Sequence, residues 1–222
     1  MPQQISKKIS LYLFLFLLLG SLNNKNLVNI EFPKIKKIDV QGLQIINDEF
    51  TQKLDLLKKK NLFDLNKSNL KELLNSNNLI EEYTIFKKYP SSLEIKIIET
   101  TLLGLINKNG MNFYIGSNGK LINAKDEIMN LPYIFGELNI ENFLIIKKII
   151  DHSKLNYKEV QNLFFFPSGR WDIELTSGVL IKLPITNIKK SLDLSLNLLN
   201  SKEFNNIKSI DTRPSNQVII NE

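Results

Sequence analysis

Hydrophobic positions fall into three successive patterns along this chain. The first is a block. Residues 9–22 are apolar with few interruptions, carried by Leu11, Leu13, Phe14, Leu15, Phe16, Leu17, Leu18 and Leu19, and Lys7 and Lys8 stand directly before them. A segment apolar all round is directed to a membrane rather than to a soluble core. About 14 residues cover about 21 Å as a helix, against a hydrocarbon core of about 30 Å. The block reads either as a cleaved secretory signal with a basic start or as an uncleaved anchor over 9–24. The anchor is favoured, because the only small pair, Gly20 and Ser21, is followed by Leu22. Residues 1–8 then form a short cytoplasmic tail, with the rest of the chain across the membrane.

The second pattern mixes periods. Ile38 and Val40 alternate with polar residues up to Gly42, which predicts a strand and a turn. Phe50, Leu54 and Leu57 recur at i, i+4 and i+7 behind the cap candidates Asn47 and Asp48, and Leu70, Leu73 and Leu74 recur behind Asn66. Tyr83, Ile85 and Tyr89, then Leu93, Ile95 and Ile97, alternate on either side of Pro90, as the arms of a hairpin do. Strand, helix, helix, strand, strand over 33–101 predicts two helices against one face of a three-stranded sheet.

The third pattern, over 102–222, is dominated by short strands. Asn109 with Gly110, and Ser117, Asn118 and Gly119, mark turns between them. Phe143, Ile146, Ile149 and Ile150 form a helical stripe opposite Lys147 and Lys148, and Ile188, Leu192, Leu196 and Leu199 form another. Trp171, Ile173 and Leu175 alternate, and a final strand is expected around 217–220. The fold class is α+β: one N-terminal transmembrane helix, a β-α-α-β-β unit, and a β-rich domain with an antiparallel or mixed sheet and flanking helices.

Composition narrows the chemistry. Of 222 residues, none is Cys and one is His, which removes thiol chemistry and any two-histidine metal site. The formal net charge is +6, with lysine pairs such as Lys36 and Lys37, Lys87 and Lys88, and Lys147 and Lys148 spread along the chain. Without an Arg-rich stripe interleaved with aromatics, they read as solvated faces and no nucleic-acid partner is expected. His152 beside Asp151 reads as a helix-end histidine. Asp211 and Arg213, two apart, read as a structural ion pair or a partner contact. Phe164, Phe165, Phe166 and Trp171 read as core, with a hydrophobic partner patch as the alternative. No enzyme, cofactor, metal or small-molecule substrate is expected.

These residues resemble the FtsQ/DivIB family of bacterial cell-division proteins. In the first domain the likeness rests on Ile38-Asp-Val-Gln-Gly42, Asn61-Leu-Phe-Asp-Leu65 and Tyr89-Pro-Ser-Ser-Leu-Glu-Ile-Lys-Ile97. In the second it rests on Phe113-Tyr-Ile-Gly-Ser-Asn-Gly119, Leu131-Pro132 with Gly136, Trp171-Asp-Ile-Glu-Leu175 with Gly178, and Ile210-Asp-Thr-Arg213 followed by Asn216-Gln-Val-Ile219. Gly116 stands where the family usually has Asp, Pro214 where an aromatic or apolar residue is common, and Leu183-Pro184 replaces a glycine.

The resemblance implies a POTRA domain over 33–101 and an FtsQ-type β domain over 102–222. It implies a non-enzymatic scaffold of the division machinery, single-pass in the inner membrane and enriched at the septum. Its partners would be FtsB/FtsL-type bitopic proteins and other divisome components, and it would link them to septal peptidoglycan synthesis. A strand at a sheet edge leaves N–H and C=O groups that accept an added strand. The residues implied at such an edge are Asp211, Arg213, Asn216, Gln217, Val218, Ile219 and Ile220. The competing expectations are a secreted POTRA-type chaperone or outer-membrane assembly module with a cleaved signal, and, last, a periplasmic hydrolase.

Overall fold

The computed structural model describes residues 7–22, 32–44, 48–124, 130–137, 139–201, 206–214 and 217–222. Helix α1, Lys7–Leu22, takes in both lysines expected to precede it. From Ile9 to Leu19 its large apolar side chains are exposed, from 41% at Leu18 to 76% at Phe16. At 16 residues it is about 24 Å long, and among the described residues no helix is long and apolar enough to cross a membrane. Residues 23 and 24 of the expected anchor lie outside the described residues.

Backbone contacts divide the chain into two compact units, one with residues up to 40, 46–70 and 85–95, the other with 41–45, 71–84 and residues from 96 onward. The division runs through the predicted 33–101 region. Strand β1 is Lys37–Gln41, helix α2 Asp48–Leu57, helix α3 Lys67–Asn75, strand β2 Ile80–Lys88 and strand β3 Ser92–Glu99, and the sheet order is β1-β3-β2. This is the predicted β-α-α-β-β sequence. Phe50, Leu54 and Leu57 are buried on α2, as are Leu70 and Leu74 on α3 and Leu93, Ile95 and Ile97 on β3. Asn66 caps α3 by accepting from the Ser68 N–H at 3.0 Å, whereas Asn47 lies outside the described residues. Tyr89 is not on a strand; it sits in the turn between β2 and β3, 59% exposed.

The second unit is built on a sheet of nine described strands. In chain order these are β4 Leu102–Lys108, β5 Met111–Gly116, β6 Leu121–Asn123, β7 Tyr133–Phe135, β8 Val160–Phe165, β9 Trp171–Leu175, β10 Leu180–Lys182, β11 Ser209–Asp211 and β12 Ile219–Asn221. Their spatial order is β12-β11-β10-β9-β8-β7-β4-β5-β6. The sheet is mixed: β4 with β7, β7 with β8 and β10 with β11 are parallel, the other neighbours antiparallel. Asn109 and Gly110, with φ of 54° and 80°, make the two-residue turn between β4 and β5 that only left-handed backbone can close.

Cross-strand register separates the two faces of this sheet. Ile134, Leu163, Ile173, Ile181 and Ile210 are aligned neighbours on successive strands, and each is buried. Ile134, Leu163, Ile173 and Ile181 share one core with Phe143, Ile146 and Ile150 of helix α4, Ile140–Asp151, and with Leu192 and Leu196 of helix α5, Ile188–Leu199. Lys147 was expected on the solvated side of α4. Instead its ammonium lies 4.2 Å from the centre of the Tyr157 ring and its side chain is 14% exposed, bonded to Asp151.

Candidate interaction edge

β12 ends the strand order, so among the described residues its outer side has no paired strand. It pairs antiparallel with β11 through Asp211 with Ile219, Ile210 with Ile220, and Ser209 with Asn221. Because side chains alternate, Ile220 continues the buried row of Ile210, and Ile219 points the other way, 50% exposed. Gln217 is exposed and Val218 half-buried, just ahead of the strand. Asn216 lies outside the described residues.

Asp211 and Arg213 are brought together. The Arg213 Nε–H donates to Asp211 Oδ1 at 2.7 Å, its Nη2 meets Oδ2, and its backbone N–H donates to Oδ1 at 3.0 Å. The guanidinium bond holds the Asp211 carboxyl below the usual carboxylate range and raises Arg213. Between them Thr212 is buried and closes on β10, its N–H and Oγ1–H both donating to the Lys182 carbonyl at 3.0 and 2.9 Å. The pair therefore fixes the end of β11. Pro214, Gln217 and Val218 line a groove of about 560 Å³ with Leu194 of α5.

Across the open face, register extends the row of Ile219 and Asp211 to Lys182, Asp172, Phe164 and Phe135. Asp172 is 4% exposed, and burial pushes its carboxyl up, against the pull of Arg170, whose Nε lies 3.3 Å from Oδ1. Arg170 also covers the Phe166 ring at 4.0 Å. Phe135 and Phe164 stack, centroids 5.0 Å apart. The aromatic run thus splits: Phe165 and Trp171 join the core, and Phe164 turns to the open face. Sequence reading missed Asp172 and Lys182, although alternation in Trp171-Asp-Ile-Glu-Leu175 already set Asp172 opposite the core.

Chemistry elsewhere is sparse. His152 caps the C-terminus of α4, exposed, its Nδ1 2.7 Å from the Lys148 carbonyl. Among the described residues no group of three or more His, Cys, Asp or Glu is placed to hold a metal ion.

Residues 34–100 match the POTRA domain of FtsQ type, and residues 104–213 match the C-terminal domain of cell division protein FtsQ/DivIB. Cell division protein DivIB of Clostridium botulinum (strain Loch Maree / Type A3) is 30% identical over 93% of this chain and 86% of its own length. The chain belongs to the FtsQ/DivIB family. Cell division protein FtsQ of Rickettsia bellii is 27% identical over 84% of this chain and 72% of its own. A solved structure of the major extracytoplasmic domain of DivIB from Geobacillus stearothermophilus aligns over 42% of this chain and 86% of its own, at 13% identity and a TM-score of 0.34. The match to the FtsQ/DivIB C-terminal domain runs through the Asp211 and Arg213 pair and stops before β12.

Proposed function

We propose that this FtsQ/DivIB chain is a non-enzymatic scaffold of the division machinery, held in the inner membrane by α1 with its N-terminus cytoplasmic and residues 33–222 periplasmic. It gathers at the septum, where it links division proteins to peptidoglycan synthesis. The POTRA domain over 33–101 offers one docking surface and the β domain over 102–222 another. The observation that carries this reading is β12 at the end of the sheet, with Ile219 half exposed beside an ordered Asp211 and Arg213 pair. Such an edge accepts a strand from an FtsB/FtsL-type partner, main-chain bonds supplying attachment and alternate side chains specificity.

Replacing Val218 by Pro tests it: the Asn221 carbonyl accepts from the Lys208 N–H on the β11 side, so alternation turns the main chain of Ile219 inward as well and that of Val218 and Ile220 to the outer side. Pro is tolerated on an edge strand but removes a donor. Binding of FtsB should collapse while the melting temperature stays near that of the parent; unchanged binding sinks the reading. Depletion of the protein should leave cells filamentous.

The length of α1 favours a second reading, in which the segment is a cleaved signal and the chain a secreted POTRA-type chaperone or assembly module. A topology reporter after Glu222 with an immunoblot for cleavage decides between them: a mature N-terminus near residue 23 supports secretion. An intact chain with a periplasmic reporter supports the anchor.

A further inference from the structure

Three segments of the first unit, 32–37, 58–64 and 87–91, meet through their backbones. The Ile35 N–H donates to the Lys60 carbonyl at 2.9 Å, the Lys36 N–H donates to the Ser91 carbonyl at 2.8 Å, and Lys34 bridges to Asn61. Each contributes one exposed aromatic ring. Phe32, Phe63 and Tyr89 are 46%, 54% and 59% exposed, with centroids 4.2 Å apart for the first pair and 5.1 Å for the second. Phe63 is held outward by its turn, in which its N–H and that of Asp64 both donate to Asn61 Oδ1 at 2.9 Å. From behind, Lys87 Nζ ties the loop by donating to the Leu62 and Leu65 carbonyls at 2.7 and 3.2 Å.

The same segments carry three, three and two lysines and a single acid, Asp64. Lys58 and Lys88 pair with Asp55 and Glu94 just outside these segments, so of their net +7 five positive charges remain, against +6 for the whole chain. Lys34, Lys36, Lys37, Lys59 and Lys60 are exposed. Aromatic rings ringed by lysines match the boundary of an anionic bilayer, where rings settle at the headgroups and ammonium groups meet phosphate. Nine residues separate Phe32 from the apolar α1. Fully extended, they reach about 35 Å at most.

We propose that this patch docks the first unit on a membrane surface rich in anionic phospholipid headgroups, an inference that rests on α1 serving as the anchor. The full chain is reconstituted in vesicles of phosphatidylcholine, with or without phosphatidylglycerol, brominated on the acyl chains. Phe63→Trp reports contact, and the parent, whose one tryptophan is the buried Trp171, is the control. Tyr89→Trp is the second reporter should the first disturb the turn.

Both reporters should lose emission in phosphatidylglycerol vesicles beyond any loss in the parent, and salt should restore it. Replacing Lys59 and Lys60 by Gln should lower the docked-to-undocked ratio by roughly fivefold per lysine. Quenching no greater than in the parent, equal in neutral lipid, or indifferent to the lysines overturns the proposal, as an acidic protein or polymer being the true occupant would. Flotation on neutral vesicles reads the anchor separately. A chain that floats there without reporter quenching keeps the anchor and loses the patch; one that needs phosphatidylglycerol and the lysines to float does the reverse.

Discussion

The Ser117 hydroxyl donates to the Glu81 carboxylate at 2.6 Å, tying the start of β2 to the turn after β5. Thr100 Oγ1 donates to the same oxygen at 2.8 Å, and Asn118 Nδ2 reaches the carbonyls of Asn78 and Ile80 at 2.9 and 3.0 Å. One carboxylate thus gathers hydroxyls from the β3–β4 junction and the β5 turn. Glu81→Ala should lower stability by about 1 kcal/mol, discounted for the exposure of Glu81. Glu81→Gln should recover part of that loss in urea unfolding.

Gly116 lies inside this arrangement. A Cβ there would come within 2.7 Å of both Thr100 Oγ1 and Asn118 Oδ1. An Asp at this position would have to displace the Thr100 and Asn118 side chains, and Glu81 brings the carboxylate from another strand instead. Gly116→Asp should cost about 1–3 kcal/mol. Combined with Glu81→Ala it should cost less than the two changes added, because one acid then has the hydroxyls to itself. A double-mutant cycle by urea midpoints reads the difference.

Asp211 and Asp172 should give opposite pH dependences. The folded chain favours ionised Asp211, so its contribution is whole above the unfolded carboxylate pKa of about 3.9 and is lost as pH falls through the lower folded value. Asp211→Asn should flatten the acid limb of a plot of Tm against pH. Burial favours neutral Asp172, whose contribution is whole below about 3.9 and is lost as pH rises through the raised folded value. Asp172→Asn should therefore gain on the parent between about pH 4 and neutrality.

Lys87 holds its loop by charge-assisted bonds to two carbonyls. Lys87→Met keeps most of the stem and removes both bonds, and should cost about 1–3 kcal/mol. Amide exchange should rise over residues 61–65 while α4 and α5 keep their protection.

Much of the fold is legible in local period. The α2 stripe of Phe50, Leu54 and Leu57 is buried as its spacing requires, and Trp171, Ile173 and Leu175 alternate inward. What local period lacks is partnership. Phe164 and Phe165 are adjacent and equally apolar, and only pairing with Asp172 and Trp171 sends them to opposite faces. The lysines of 34–37, 58–60 and 87–88 look scattered because their meeting is a matter of backbone bonds between distant segments. The place of β12 depends on strand order, which the residues of a three-residue strand do not encode; the expectation of an edge came from family resemblance.

The two rows that reach β12 also set a reading rule for anything that lengthens the sheet. Beside Ile220 the buried row of Ile210 and Ile181 asks for an apolar side chain, while beside Ile219 the neighbours are Asp211 and Lys182 on an open face. A guest strand must therefore carry a two-residue alphabet in the right phase. Slipped by one residue, it would bury its polar letters against isoleucine and would be rejected by the sheet itself.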